Sequence, residues 1–257
     1  MTAVNGTIGG HMRSILQAST ANIDRVWSNV SGAVEQSATL QDAAQHLLDG
    51  VYAEFGDSLA LGRVFVTVPY ADLPDSNRTW VAELANDKGV AGELKDTTPV
   101  LSLVGTRGEQ DAWNDIRKSE GHVGIPLVSP RFVDAIPMVS RLLSDLGISD
   151  VASSPEGLNI ERGASSVETF YVADASSTID DQNRNIIPMQ DFVDAHTVRT
   201  VFGAGGSYGY GTNSILVCIF FTKEEIPKDI AQQFEAIAEK FRDATKDLRT
   251  TNTIFSA

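Results

Sequence analysis

The sequence predicts an α+β fold: a central, mainly antiparallel sheet of six strands, flanked by N- and C-terminal helices, with a helical insertion over one face. Two observations carry this. Apolar residues recur at three- and four-residue steps near both ends, while the middle holds short apolar runs separated by turn residues. The runs also do not alternate regularly with helices, as a parallel wound sheet would require. With 257 residues, 42% of them hydrophobic, the chain is long enough to bury a sizeable core.

The elements follow in order. From about 12 to 34, Ile15, Leu16, Ile23, Val26, Trp27, Val30 and Val34 form one stripe of an amphipathic helix. "SATLQDAAQHLLDGVYAEFG" (37–56) gives a second helix, with Ser37 or Thr39 as its cap and Gly56 at its end. "LALGRVFVTVPY" (59–70) reads as a strand in which Val64, Val66 and Val68 share one face. "DLPDSN" (72–77) is a turn, and "RTWVAELANDKG" is a short helix closed by Gly89. Strands follow at "TPVLSLVGT" (98–106) and "VGIPLVS" (123–129). "PRFVDAIPMVSRLLSDLG" is a helix opened by Pro130 and kinked or split at Pro137. The polar, Gly/Ser/Pro-rich stretch 148–166 is a loop. "VETFYVADA" (167–175) is the fourth strand, and 199–222 supplies two more, joined by a glycine-rich turn. The last helix carries Ile230, Phe234, Ile237, Phe241 and Leu248 at nearly heptad spacing.

Charge and composition narrow the function. The formal net charge of −14 speaks against nucleic acid or an anionic membrane as the main partner, since both demand a basic footprint. A single cysteine, Cys218, rules out an internal disulfide and a cysteine-based zinc cluster. The N-terminus lacks the charged start and apolar stretch of a secretory signal, so the cytoplasm is the expected location.

The pieces "LQDAAQHLLDGVYAEFGDSLALGRVFVTV" and "ILVCIFFTKEEIPKDIAQQFEAIAEKF" resemble the front and back of a GAF domain, a PAS-related sensor module of bacterial signalling proteins. The resemblance spans about 38–248. It implies a domain over 38–250 after a helical extension (1–37) and before a short tail (251–257). Two segments, about 70–97 and 105–166, stand as insertions in that layout. The resemblance further implies a small-molecule ligand between sheet and loops, a homodimer through the terminal helices, and a signalling partner such as a kinase. The cofactor stays unknown: bilin attachment and GAF-type methionine-sulfoxide reduction need cysteines this chain lacks, and His11, His46, His122 and His196 form no metal or haem motif by spacing.

The glycine run "GAGGSYGYG" (203–211) lacks dinucleotide-binding spacing and leads into a strand where a helix should begin. Its glycines suit a hairpin turn and close backbone approach, and Tyr208 and Tyr210 stand near a pocket. The ligand loop is sought in "GTRGEQDAWNDIRKSEGH" (105–122). There Arg107 and Arg117 offer forked donors for carboxylate or phosphate, Trp113 a flat apolar face, and Asn114, Ser119 and His122 short polar contacts. The competing reading pairs both arginines with neighbouring acids on the surface. Phe132, Ile136, Met138 and Leu142 are expected either to cover the same place or to be plain core.

The expected function is therefore that of a small-molecule-binding sensor or regulatory module, with no enzyme activity, whose ligand lies beneath 105–146 against the sheet. Two alternatives stand beside it: a small-molecule enzyme using 111–122 with His122 as general base, and a purely structural dimerisation module. A Ser119–His122–Asp115 triad lacks a nucleophile-elbow pattern.

Overall fold

The structure, a computed structural model, describes residues 12–118, 123–148, 166–209 and 214–256. Helix α1 (Thr20–Glu35) starts later than the periodicity predicts, because Ser19 is extended and its side chain accepts from Asn22 N. Residues 15–17 form a separate turn instead. Helix α2 (Leu40–Phe55) is capped by Thr39, whose Oγ1 accepts from Asp42 N at 3.1 Å. Gly56 does not stop α2 in a left-handed conformation; at φ −57° it opens a further tight turn.

Strand β1 (Leu59–Pro69) and β2 (Pro99–Gly108) pair antiparallel, although α3 (Asp75–Asp87) lies between them in sequence. Strand β3 (Gly124–Pro126) is shorter than predicted. The predicted split at Pro137 yields α4 (Pro130–Asp134) and α5 (Pro137–Asp145), each with proline in its first turn. Strand β4 (Glu168–Val172), helix α6 (Gln190–Ala195), and strands β5 (Thr200–Ser207) and β6 (Ile215–Thr222) follow. The loop expected over 148–166 lies largely outside the described residues.

The six strands form one sheet in the order β3-β2-β1-β6-β5-β4, antiparallel throughout. This is the α+β class that the sequence predicts. Long β1 sits near the centre, and short β3 and β4 form the edges. Gly203 and Gly205 let β5 press against β6: a Cβ there would stand 2.5 Å from Cys218 O and 2.3 Å from Leu216 O. Among the described residues no helix is long and apolar enough to cross a membrane.

The chain ends in α7 (Lys228–Gln232), α8 (Glu235–Ala244) and α9 (Lys246–Thr250), not in one continuous helix. At the α8–α9 break, Thr245 turns its hydroxyl back onto Phe241 O at 2.7 Å, and the same hydroxyl meets Tyr208 Oη at 3.0 Å. Phe234, Ile237 and Phe241 are fully buried in their own chain.

Two apolar clusters lie on opposite faces of the sheet. Helices α1, α2 and α8 cover one face, where Val64, Val66, Phe202, Cys218 and Phe220 are buried with Leu47, Ile23 and Phe234. Phe65, Leu103, Val217 and Ile219 point the other way, into a second cluster with α4, α5 and Val193 of α6. Alternation along each strand produces this division. Burial pushes the Cys218 thiol up to about 12, so it is packing and not a nucleophile at neutral pH.

Candidate ligand-binding cavity

Between the sheet and α5 lies a cavity of about 310 Å³. Leu61, Arg63 and Phe65 of β1 form its floor, with Ile219 and Phe221 of β6. Alternation explains the choice, since these are the β1 residues that face away from α2. The roof is Ile136 with Met138, Val139 and Leu142 of α5. Pro137 starts a new helix there and turns these side chains toward the sheet.

The side wall comes from 187–196. Gln190 Nε2 donates to Ile187 O at 2.7 Å and to Ala175 O at 3.0 Å, pinning the segment to the end of β4. Met189 lines the cavity yet is 55% exposed, which places the mouth beside it. Phe192 and His196, one helical turn apart, meet Trp113 edge-on at 5.6 and 4.7 Å between ring centres. Thr197 then adopts φ +52°, and the chain turns into β5. Nearby Glu109 joins two partners: His196 Nδ1 lies 2.6 Å from Oε1 and Lys223 Nζ 3.3 Å from Oε2.

Arg63 is the charged side chain of the floor. It lies on β1 between Thr106 of β2 and Ile219 of β6, and only 9% of it is exposed. Burial lowers its guanidinium to about 10, which leaves it protonated at neutral pH. Thr106 is fully buried, and its Oγ1 makes no hydrogen bond. Directly opposed residues of an antiparallel pair share a face, so this hydroxyl stands beside the arginine.

Among the described residues, the loop side chains singled out in the sequence are not brought together. Trp113 is on the cavity wall. Arg107 points to the helix-covered face, 3.5 Å from Asp49 and over the ring of Tyr52 at 5.3 Å. Asn114 holds the turn after β2, with Oδ1 accepting from Gly108 N at 2.9 Å. Arg117 is exposed and pairs with Asp115 at 3.1 Å, and that pairing holds the Asp115 carboxyl below the usual range. Tyr208 lies in the helix-side cluster, where burial pushes its phenol up. Ser119, His122 and Tyr210 lie outside the described residues. Among the described residues no three His, Cys, Asp or Glu side chains form a metal cluster.

Arg63, Thr106 and the 187–196 wall have no place in that loop-based reading. A signal for Arg63 is present in "LALGRVFVTV", where one charge interrupts an apolar strand. The 187–196 segment gives a weaker one, an apolar group inside a polar stretch.

No family model and no curated protein matches this chain. Among solved structures it is similar to the GAF domain of a phosphoenolpyruvate-protein phosphotransferase from Coxiella burnetii, at 8% identity and TM-score 0.47, covering 92% of this chain and 100% of that one. It is also similar to the phycoerythrobilin-bound GAF domain of a cyanobacterial phytochrome, at 10% identity and TM-score 0.45, over 90% and 97% of the two chains. A third is the GAF domain of an Acinetobacter phosphoenolpyruvate-protein phosphotransferase, at 10% identity and TM-score 0.43, over 93% and 99%. The likeness lies in the overall layout and assigns no residue of the cavity.

Proposed function

We propose that this protein is a regulatory module that binds a small molecule in the cavity between the sheet and α5. The observation that carries the reading is the cavity itself. Its roughly 310 Å³ sits at the lower end of the range for ligand sites. That space equals about ten waters at liquid density, and its walls are mostly apolar and aromatic. Water held there makes few hydrogen bonds, so a compact apolar ligand gains by displacing it.

Strand β1 supplies the route from ligand to the rest of the molecule. Arg63 and Phe65 face the cavity, while Gly62 faces α2, where a Cβ would lie 3.2 Å from Leu48 Cδ2. A ligand that favours one position of β1 therefore acts on the helix layer, to the extent that it binds the two arrangements differently.

Indole, a neutral bicycle suited to this space, tests the reading by titration calorimetry. Wild type should show saturable one-site binding, and Val139→Phe, which fills the roof, should weaken it about tenfold with the circular dichroism spectrum unchanged. Equal affinity of both proteins would put the ligand elsewhere and end the reading.

A further inference from the structure

We propose that His196, positioned by Glu109, recognises the ligand of this cavity through Nε2, and that the ligand is an uncharged aromatic body carrying one N–H or O–H donor. The inference rests on the cavity reading above and adds the chemical class.

The ring of His196 is fixed on three sides. Trp113 and Phe192 pack against it at 4.7 and 5.2 Å between ring centres. Its Nδ1 meets Glu109 Oε1 at 2.6 Å. Glu109 is held in turn, since its backbone N–H donates to Ala60 O at 3.1 Å and Lys223 Nζ lies 3.3 Å from its other carboxylate oxygen.

A carboxylate only accepts hydrogen bonds, so Nδ1 carries the proton of this contact. In the uncharged ring that choice leaves Nε2 bare, with a lone pair to offer. Among the described residues Nε2 has no hydrogen-bond partner. His196 lines the cavity and Glu109 does not, so the edge turned to Glu109 faces away from the hollow. Nε2, farther round the ring, is then the acceptor that a ligand meets.

The rest of the lining selects the body of the ligand. Trp113, Phe192 and Phe221 offer ring faces and edges, and the thioethers of Met138 and Met189 adapt to an uneven outline. A single lone pair satisfies a single donor. A ligand with several hydroxyls would leave the others against apolar side chains.

Indole and benzothiophene isolate the donor, because the two bicycles share an outline and only indole has an N–H. Calorimetry is run at about pH 8.5, well above the ordinary imidazole value. His196→Phe keeps an aromatic ring against Trp113 and removes both nitrogens. It should lower the affinity for indole about fivefold relative to benzothiophene.

Nitrogen NMR of labelled histidine rings reads the same contact in wild type. His11→Gln, His46→Gln and His122→Gln assign the remaining signal to His196. Its Nδ1 should carry a proton and its Nε2 none, and indole but not benzothiophene should move the Nε2 resonance toward that of a protonated nitrogen. Glu109→Ala frees the proton to divide between the two nitrogens and should bring their resonances together.

An unchanged ratio of indole to benzothiophene affinity in His196→Phe, or a protonated Nε2 in wild type, would overturn the donor assignment. Benzothiophene binding that Val139→Phe blocks would still leave the cavity reading intact. Resonances that stay apart in Glu109→Ala would overturn the role given to the carboxylate. Failure of indole and benzothiophene alike would end both readings.

Discussion

On the face of the sheet covered by α1, α2 and α8, Phe55, Phe202, Phe220 and Phe234 meet ring to ring with centroids between 5.0 and 5.7 Å apart. On the opposite face Trp113, Phe192 and Phe221 also meet at 5.4–5.6 Å, yet they stand around a hollow of about 310 Å³. Aromatic content does not separate the two faces; closure does. The helix side is sealed by two sixteen-residue helices: α2 lies on long β1 and β2, and α1 packs against α2 and α8. The other side is roofed by α4 and α5, five and nine residues long, divided at Pro137. Short pieces meeting at an angle cannot fill every space against a twisted sheet. The helix-covered face is packed closed, and the other keeps a hollow among its buried side chains.

Truncations on the two faces test that division directly. Phe234→Ala removes a fully buried ring from the aromatic cluster and should cost about 3–5 kcal/mol in denaturant unfolding. Leu142→Ala, on the cavity roof, should cost nearer 2 kcal/mol, at the low end for such a change, because part of its surface already faces empty space. Equal losses would mean that the cavity face is packed as tightly as the helix face.

A comparable effect should come from the strand junction that both faces share. Gly205→Ala puts a Cβ where Leu216 O would be 2.3 Å away, so β5 and β6 must separate locally. A cost of about 1–3 kcal/mol is expected, with a fall in protection of the β5 and β6 amides by hydrogen exchange. Unchanged protection would show that the glycine is tolerated rather than needed.

The weakest effect should appear in acid and only on the cavity side. Hydrogen bonds from the Ser176 and Ser177 hydroxyls, each 2.6 Å long, and from Ser176 N pull the Asp174 carboxyl down to about 2. A carboxylate lowered on folding adds stability above its unfolded pKa near 4 and loses it as pH falls toward 2. Asp174 is exposed, so solvent screening keeps the global effect small. The turn it holds leads through Ala175 to Gln190 and the side wall of the cavity. Hydrogen exchange between pH 4 and 2, corrected for intrinsic rates, should show 175–190 loosening before α2 does. Simultaneous loosening would tie the two faces more closely than their packing implies.

The sequence by itself determined the class of fold. Alternation in "LALGRVFVTV" and "SILVCIFF", the stripes of α1 and α2, and the division at Pro137 all express local periodicity or a missing backbone donor. It also directed attention to Trp113 and to the stretch that became the roof. Tertiary structure alone decided the rest. Whether Arg107 or Arg63 reaches the cavity depends on which face of its strand each occupies, and that follows from register and a bulge between Val64 and Phe65. Thr106 stands across from Arg63 by strand pairing, and His196 joined the cavity wall by meeting Trp113 far away in sequence. Neither pairing leaves a local trace, because the contact is made by strand order and not by neighbouring residues.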